Sequence, residues 1–126
     1  MRVVDTSAWI EWLSGSNLGH RISSELPANG DWIVPTIVQY ELKRWAIRSG
    51  SNPQADTALA FSNKLIRSPV NSELAIRAAE IAVKHSLAMA DAIIYATAVE
   101  AGADLLTCDA HFNLPGVVYL AKAPSP

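Results

Sequence analysis

The 126-residue sequence predicts an α/β fold, a parallel sheet covered by helices on both faces. Three observations carry that reading. Short runs of β-branched and leucine residues alternate along the chain with stretches whose apolar residues recur at helical spacing. Two of those runs, Val3-Val4 and Leu105-Leu106-Thr107-Cys108, stop at an aspartate. No internal repeat, low-complexity tract or linker interrupts the pattern, so residues 1–126 are expected to form one domain.

Val3 and Val4 predict a short buried strand, since β-branched side chains suit a pleated surface covered on both faces. Asp5 ends it, because a carboxylate is not buried without partners. Trp9, Ile10 and Leu13 then predict a helix, with Thr6 or Ser7 as its N-cap. Ser14-Gly15-Ser16-Asn17 is turn chemistry. Ile22 and Leu26 support a second short helix, closed by Pro27, Asn29 and Gly30. Trp32-Ile33-Val34 predicts the second strand. Thr36 and Gln39, spaced as a capping box, open a helix that runs to about Ser49, with Gly50 just past its end. Ser51-Asn52-Pro53 begins a helix through Ala55, Leu59 and Leu65. Ile66 to Val70 predicts an edge strand, because Pro69 cannot donate to an interior ladder. Ser72 and Glu73 open the helix Leu74 to Lys84. Leu87 to Ala101 is an alanine-rich helix ended by Gly102. Leu105 to Cys108 is a buried strand and Val117 to Leu120 the last one. Ala121 to Pro126 is expected to fray.

Half of the residues are hydrophobic and four are Trp, enough for a real core. The net charge is −2 with no basic run or tail, so charge does not advertise a nucleic-acid partner. Metal ions that neutralise carboxylates would still admit one. The single cysteine, Cys108, excludes an intramolecular disulfide and fits a reducing compartment. Asp5 and Glu11 interrupt any signal-peptide core. Leu87 to Val99 is too short for a membrane span and carries Asp91. A soluble cytoplasmic protein, without a membrane partner, is expected.

Four carboxylates break the local apolar pattern. Asp5 stands where a strand ends and a helix begins, the edge at which open α/β sheets bind ligands. Its bland alternative is a turn or cap. Glu41 falls in the middle of the stripe Ile37, Val38, Leu42, Trp45 and Ala46, where it needs a donor or a cation. A buried ion pair with an Arg would serve equally. Asp91 lies at the first turn of a helix that is apolar nearly all round. It can act there as an N-cap or dipole carboxylate, unless Ser86 takes the cap and frees it. Asp109 has the same address as Asp5, just past a buried strand; its alternative is an Asx turn into His111. If those two strands are neighbours, Asp5 and Asp109 converge.

Such a set is not ionised together in a dry site without a cation, and hard divalent ions take oxygen ligands. His20, His85 and His111 have no zinc-ligand spacing. His20 and His85 read as surface residues and His111 as structural.

Val3-Val4-Asp5-Thr6-Ser7, Glu41, Ala90-Asp91-Ala92-Ile93-Ile94 and Leu106-Thr107-Cys108-Asp109-Ala110-His111-Phe112 together resemble the PIN-domain nucleases, most closely the VapC-type toxins of toxin–antitoxin modules. The likeness extends over essentially the whole chain. It implies a three-layer α/β/α sandwich on a parallel, five-stranded sheet. It implies an Mg²⁺- or Mn²⁺-dependent endoribonuclease acting on an RNA substrate. Asp5, Glu41, Asp91 and Asp109 would be the catalytic, metal-binding residues. Ser7 and Thr107 would orient them by hydrogen bonds. It also implies a homodimer and a cognate VapB-like antitoxin that blocks the acidic cleft. Some of Trp9, Trp12 and Trp45 could then lie at an interface. Lys43, Arg44 and Arg48 are candidates to hold RNA, against the plainer reading of a solvated helix face. Two other functions are weighed. One is an aspartate-nucleophile phosphotransferase using Asp5, which calls for a second carboxylate where Ser7 stands and a Lys near the site. The other is a non-catalytic PIN scaffold that binds RNA or protein.

Overall fold

Val3, Val4, Leu105 and Leu106 are all fully buried, and successive strand residues point to opposite faces, so the sheet they form is covered on both sides. A computed structural model describes residues 1–50 and 52–122 of the chain. Its strands are β1 (Arg2–Val4), β2 (Trp32–Pro35), β3 (Ile66–Ser68), β4 (Asp104–Thr107) and β5 (Val117–Tyr119). Its helices are α1 (Thr6–Ser14), α2 (Asn17–Ser23), α3 (Thr36–Arg48), α4 (Pro53–Ser62), α5 (Ser72–His85) and α6 (Met89–Ala101). A 3-10 turn spans Asn29–Asp31. Ser51 and residues 123–126 lie outside the description, and with them most of the tail expected to fray.

All strand pairs are parallel, in the order β3-β2-β1-β4-β5. The chain therefore starts at the centre of the sheet, winds out through β2 and β3, then returns to the other side of β1 for β4 and β5. The reversal falls between β1 and β4, and the carboxyl ends of strands at such a switch point are where open α/β sheets bind ligands. Val4 pairs with Leu106, which sets Asp5 beside Thr107. At the opposite end, Arg2 ties β1 to β4. Its guanidinium donates to both Asp104 oxygens at 2.7 and 3.0 Å, and to the Glu25 carboxylate at 2.9 Å.

The core gathers around Trp9, which is fully buried. Its ring lies 4.9 Å from Trp32 and 6.5 Å from Phe61, joining α1, β2 and α4. Trp12 and Trp45 are partly exposed. A smaller cluster of Leu74, Ala78, Ala92 and Ala96 packs α5 on α6. Among the described residues no helix is long and apolar enough to cross a membrane.

Several helix ends differ from expectation, because backbone geometry selects the cap ahead of side-chain preference. Asp5, not Thr6 or Ser7, is the N-cap of α1, and its side chain makes no capping bond. Pro35 caps α3, and Gln39 binds Ser62 and Asn63 at the end of α4 instead of closing a capping box. Asn52 and Asn71 cap α4 and α5 through their side chains. The fourth helix stops at Ser62, short of Leu65, and β3 stops at Ser68, just before Pro69.

Gly19 marks the closest approach of two helices. A Cβ there would fall onto the Glu11 carbonyl oxygen and within 3.3 Å of the Trp12 Cα, all backbone of α1. Gly19→Ala is therefore expected to push α2 off α1 and cost about 1–3 kcal/mol. A thermal melt checks this, and an unchanged midpoint would mean that the helix pair yields freely.

Candidate metal centre

β1 ends because the next residue is an acid, and the backbone of that acid starts α1. The Asp5 carbonyl accepts from Ala8 and Trp9 N–H at 3.0 and 3.1 Å, which leaves its side chain free of capping. Asp5 Oδ2 accepts from the Ser7 hydroxyl at 2.7 Å and from the Thr107 hydroxyl at 2.8 Å. Each hydroxyl is held from behind by a backbone donor. Cys108 N–H donates to Ser7 Oγ and Asp109 N–H to Thr107 Oγ1, both at 3.0 Å. The two protons are thereby directed at the carboxylate. Asp5 is 3% exposed. Burial pushes its carboxyl above the usual range, against the pull of the two hydroxyls.

Glu41 sits half-buried on α3, among the buried Val38, Leu42 and Ala46, as the stripe predicted. Its Oε1 accepts from the Thr6 hydroxyl at 2.6 Å. Among the described residues no Lys, Arg or His lies in ion-pair range of it, so the buried Arg pair is not formed. Thr6 is the residue that sequence reasoning missed. Its cap-like type hid it, and the available signal was a hydroxyl beside an aspartate at a strand-to-helix turn.

Asp91 lies in the first turn of α6. Ser86 does not cap that helix. It takes a left-handed conformation, φ 56°, at the end of α5, and its N–H returns to the Ala82 carbonyl. Ala88 is the N-cap and offers no side-chain acceptor. Burial raises the Asp91 carboxyl to about 6, and the charges of Asp5, Asp109 and Glu41 add to the effect.

Asp109 forms the Asx turn and keeps its site address. Its Oδ1 accepts from His111 N–H at 2.9 Å, and the His111 Nδ1 stands 3.1 Å from the same oxygen. Asp91, Asp109 and His111 each present a ligand atom within 4.8 Å of the others. All four expected carboxylates thus share one sheet edge. The tightest trio, however, takes in His111 and leaves out Asp5, which is buried, and Glu41, which is half-buried. Of the basic candidates, Lys43 pairs with Asp56 at 3.6 Å, and Arg44 and Arg48 are exposed on α3. The donor set suits a hard divalent ion: it is carboxylate oxygens with one imidazole beside them, and no Lys or Arg is in ion-pair range of Asp5, Glu41, Asp91 or Asp109 among the described residues.

A parallel sheet with acids gathered at the carboxyl ends of its central strands defines the class, an α/β protein with an acidic switch point. The PIN domain model matches residues 2–116, and the chain belongs to that family. No curated protein matches it. Solved structures share the fold at low identity. A toxin–antitoxin complex from Klebsiella pneumoniae superposes with a TM-score of 0.78 at 22% identity, covering 94% of this chain and 96% of that one. A Mycobacterium tuberculosis VapC, described as a sarcin–ricin-loop-cleaving toxin, gives 0.76 at 22%, covering 97% and 100%. DNA-bound VapBC from Salmonella typhimurium gives 0.73 at 17%, covering 95% and 96%.

Proposed function

We propose that the chain is a metal-dependent endoribonuclease that hydrolyses RNA phosphodiester bonds, the toxin of a type II toxin–antitoxin pair. The observation that carries this is the gathering of Asp5, Glu41, Asp91 and Asp109 at one edge, where burial, with the charges of the other three adding to it, raises the Asp91 carboxyl to about 6. Mg²⁺ or Mn²⁺ bound there supplies a water of lowered pKa and positive charge for the phosphate oxygens. The chain's own groups do the rest. Asp91 and Asp109 offer ligand oxygens at the mouth. Ser7 and Thr107 hold the Asp5 carboxylate in one orientation, and Thr6 does the same for Glu41.

Asp5 as a phosphorylated nucleophile is the poorer reading, because its carboxylate is buried and engaged by two hydroxyls. A purely scaffolding role leaves the charge convergence without a purpose. Cleavage of RNA is expected to stop in EDTA and return with Mg²⁺ or Mn²⁺. Undiminished cleavage in excess chelator overturns the mechanism.

The antitoxin partner is supported by the toxin–antitoxin complexes among the fold neighbours. A reducing, cytoplasmic setting accords with the one buried free thiol. Expression without a partner is expected to slow host growth, and Asp5→Asn to relieve it. Equal toxicity of the two proteins would place the arrest elsewhere. A homodimer fits the large apolar side chains exposed on α3 and α5, Tyr40, Ile47, Ile76 and Val83. Light scattering at working concentration is expected to read twice the chain mass, and a monomer refutes the dimer.

A further inference from the structure

We infer that His111 is itself a ligand in the metal centre, making the site a mixed imidazole–carboxylate one that favours Mn²⁺ over Mg²⁺. The inference rests on the metal-nuclease reading and extends it to a residue outside the four acids. Its basis is geometric. The ligands of an octahedral ion with bonds near 2.1 Å stand about 3.0 Å apart when adjacent and about 4.2 Å apart when opposite. His111 Nδ1 and Asp109 Oδ1 are 3.1 Å apart, the separation of adjacent ligands. Asp91, Asp109 and His111 all fall within 4.8 Å of one another, the span of one coordination shell after small adjustment.

The ring is also carried to this place by the backbone. The Asx turn binds His111 N–H to the very oxygen its ring faces, so the two donors move as one unit at the end of β4. The side chain is 81% exposed, and what orients it is its 3.1 Å approach to the Asp109 carboxylate. Phe112, the next residue, is buried and anchors the turn to the core.

The chemistry then sets the preference. Mg²⁺ wants hard oxygen ligands and keeps its waters, so an imidazole adds little to its binding. Mn²⁺ stands lowest of the first-row ions in affinity at N/O sites and shares the taste of Mg²⁺ for oxygen, but it gives up a water to a nitrogen ligand more readily than Mg²⁺ does. A purely carboxylate trio would not separate the two ions in this way.

The experiment is a Mn²⁺ titration of the full chain followed by the free-ion EPR signal, with Mg²⁺ as competitor and electron spin echo modulation on the bound ion. Wild type is expected to show ¹⁴N modulation. His111→Ala, checked for native circular dichroism, should lose it and bind Mn²⁺ at least tenfold more weakly, roughly the least that losing even a supporting residue costs. Its Mg²⁺ affinity should change much less. Bound Mn²⁺ that is weakened by Asp109→Asn, yet shows no ¹⁴N modulation and no loss in His111→Ala, overturns the ligand. Equal losses for both ions overturn the preference. Mn²⁺ that fails to bind, or binds regardless of Asp109→Asn, overturns the metal-nuclease reading itself.

Discussion

Asp5→Asn is expected to lower RNA cleavage more than about 100-fold, beyond the 10–100-fold typical of losing a group that merely supports a ligand. The reason lies in how Asp5 is held. Its Oδ2 receives two hydroxyl protons, from Ser7 and Thr107, and both hydroxyls are fixed in turn by backbone N–H groups. An amide oxygen can still accept from both, so the network and the fold survive. What disappears is the negative charge that a cation and a phosphate would share. Because burial raises the Asp5 carboxyl above its ordinary range, its ionised form opposes folding in the absence of metal. The variant should therefore melt no lower than wild type in chelator at neutral pH. Single-turnover cleavage and thermal melts on the same preparation check both halves. Retained cleavage would remove Asp5 from the reaction, and a collapsed melt would make it a structural acid.

Asp91 ties the site to pH and metal. Its folded pKa is raised to about 6, so the folded chain holds this proton more tightly than the unfolded chain does. The stabilising contribution is complete below about pH 4, the unfolded value, and fades as pH rises through 6. Above that it has become a penalty relative to acid. Two pKa units correspond to about 3 kcal/mol, but Asp91 is only half-buried, and solvent screening reduces this to roughly 1–2 kcal/mol. Metal-free Asp91→Asn is expected to melt on the order of 5 °C above wild type at pH 7.5, and to match it near pH 4. Divalent ion should reverse the order. At 100 times its dissociation constant it stabilises the wild type by about 2.7 kcal/mol, on the order of 10 °C, and the variant far less. Melts at both pH values, with chelator and with Mg²⁺, check the sign. A wild-type midpoint indifferent to Mg²⁺, with Asp91→Asn destabilised throughout, would mean that this carboxylate serves the helix and not an ion.

Glu41 tests the alternative of a structural ion pair. Its one polar partner is the Thr6 hydroxyl, which an amide can still engage. Glu41→Gln is thus expected to lose cleavage without the roughly 3–5 kcal/mol loss that breaking a buried Arg pair would bring.

Local sequence patterns located the four acids on their elements before any contact was known. Strand ends are visible because a buried apolar run has to stop at a charge, and that placed Asp5 and Asp109 at the carboxyl edge. Helical periodicity placed Glu41 on the inward stripe and Asp91 in a first turn, since a 3.6-residue repeat needs only local information. The family resemblance supplied the likeness that the PIN domain match bears out. Caps were read less well, because several Ser, Thr and Asn residues compete for each end and backbone geometry chooses among them.

Which of these residues touch is a matter of long-range packing. Whether Asp5 and Asp109 converge depends on β4 pairing with β1 and not with β3, a contact across about a hundred residues that no local pattern encodes. The same pairing brings Thr107 to Asp5 and Ser7 to Cys108, and the packing of α1 beside α3 brings Thr6 to Glu41. His111 entered the cluster through one Asx turn, whose side-chain direction a spacing rule for metal ligands does not capture. Local periodicity specifies which face a residue occupies; the order of strands and the aim of a side chain follow from packing the whole chain at once.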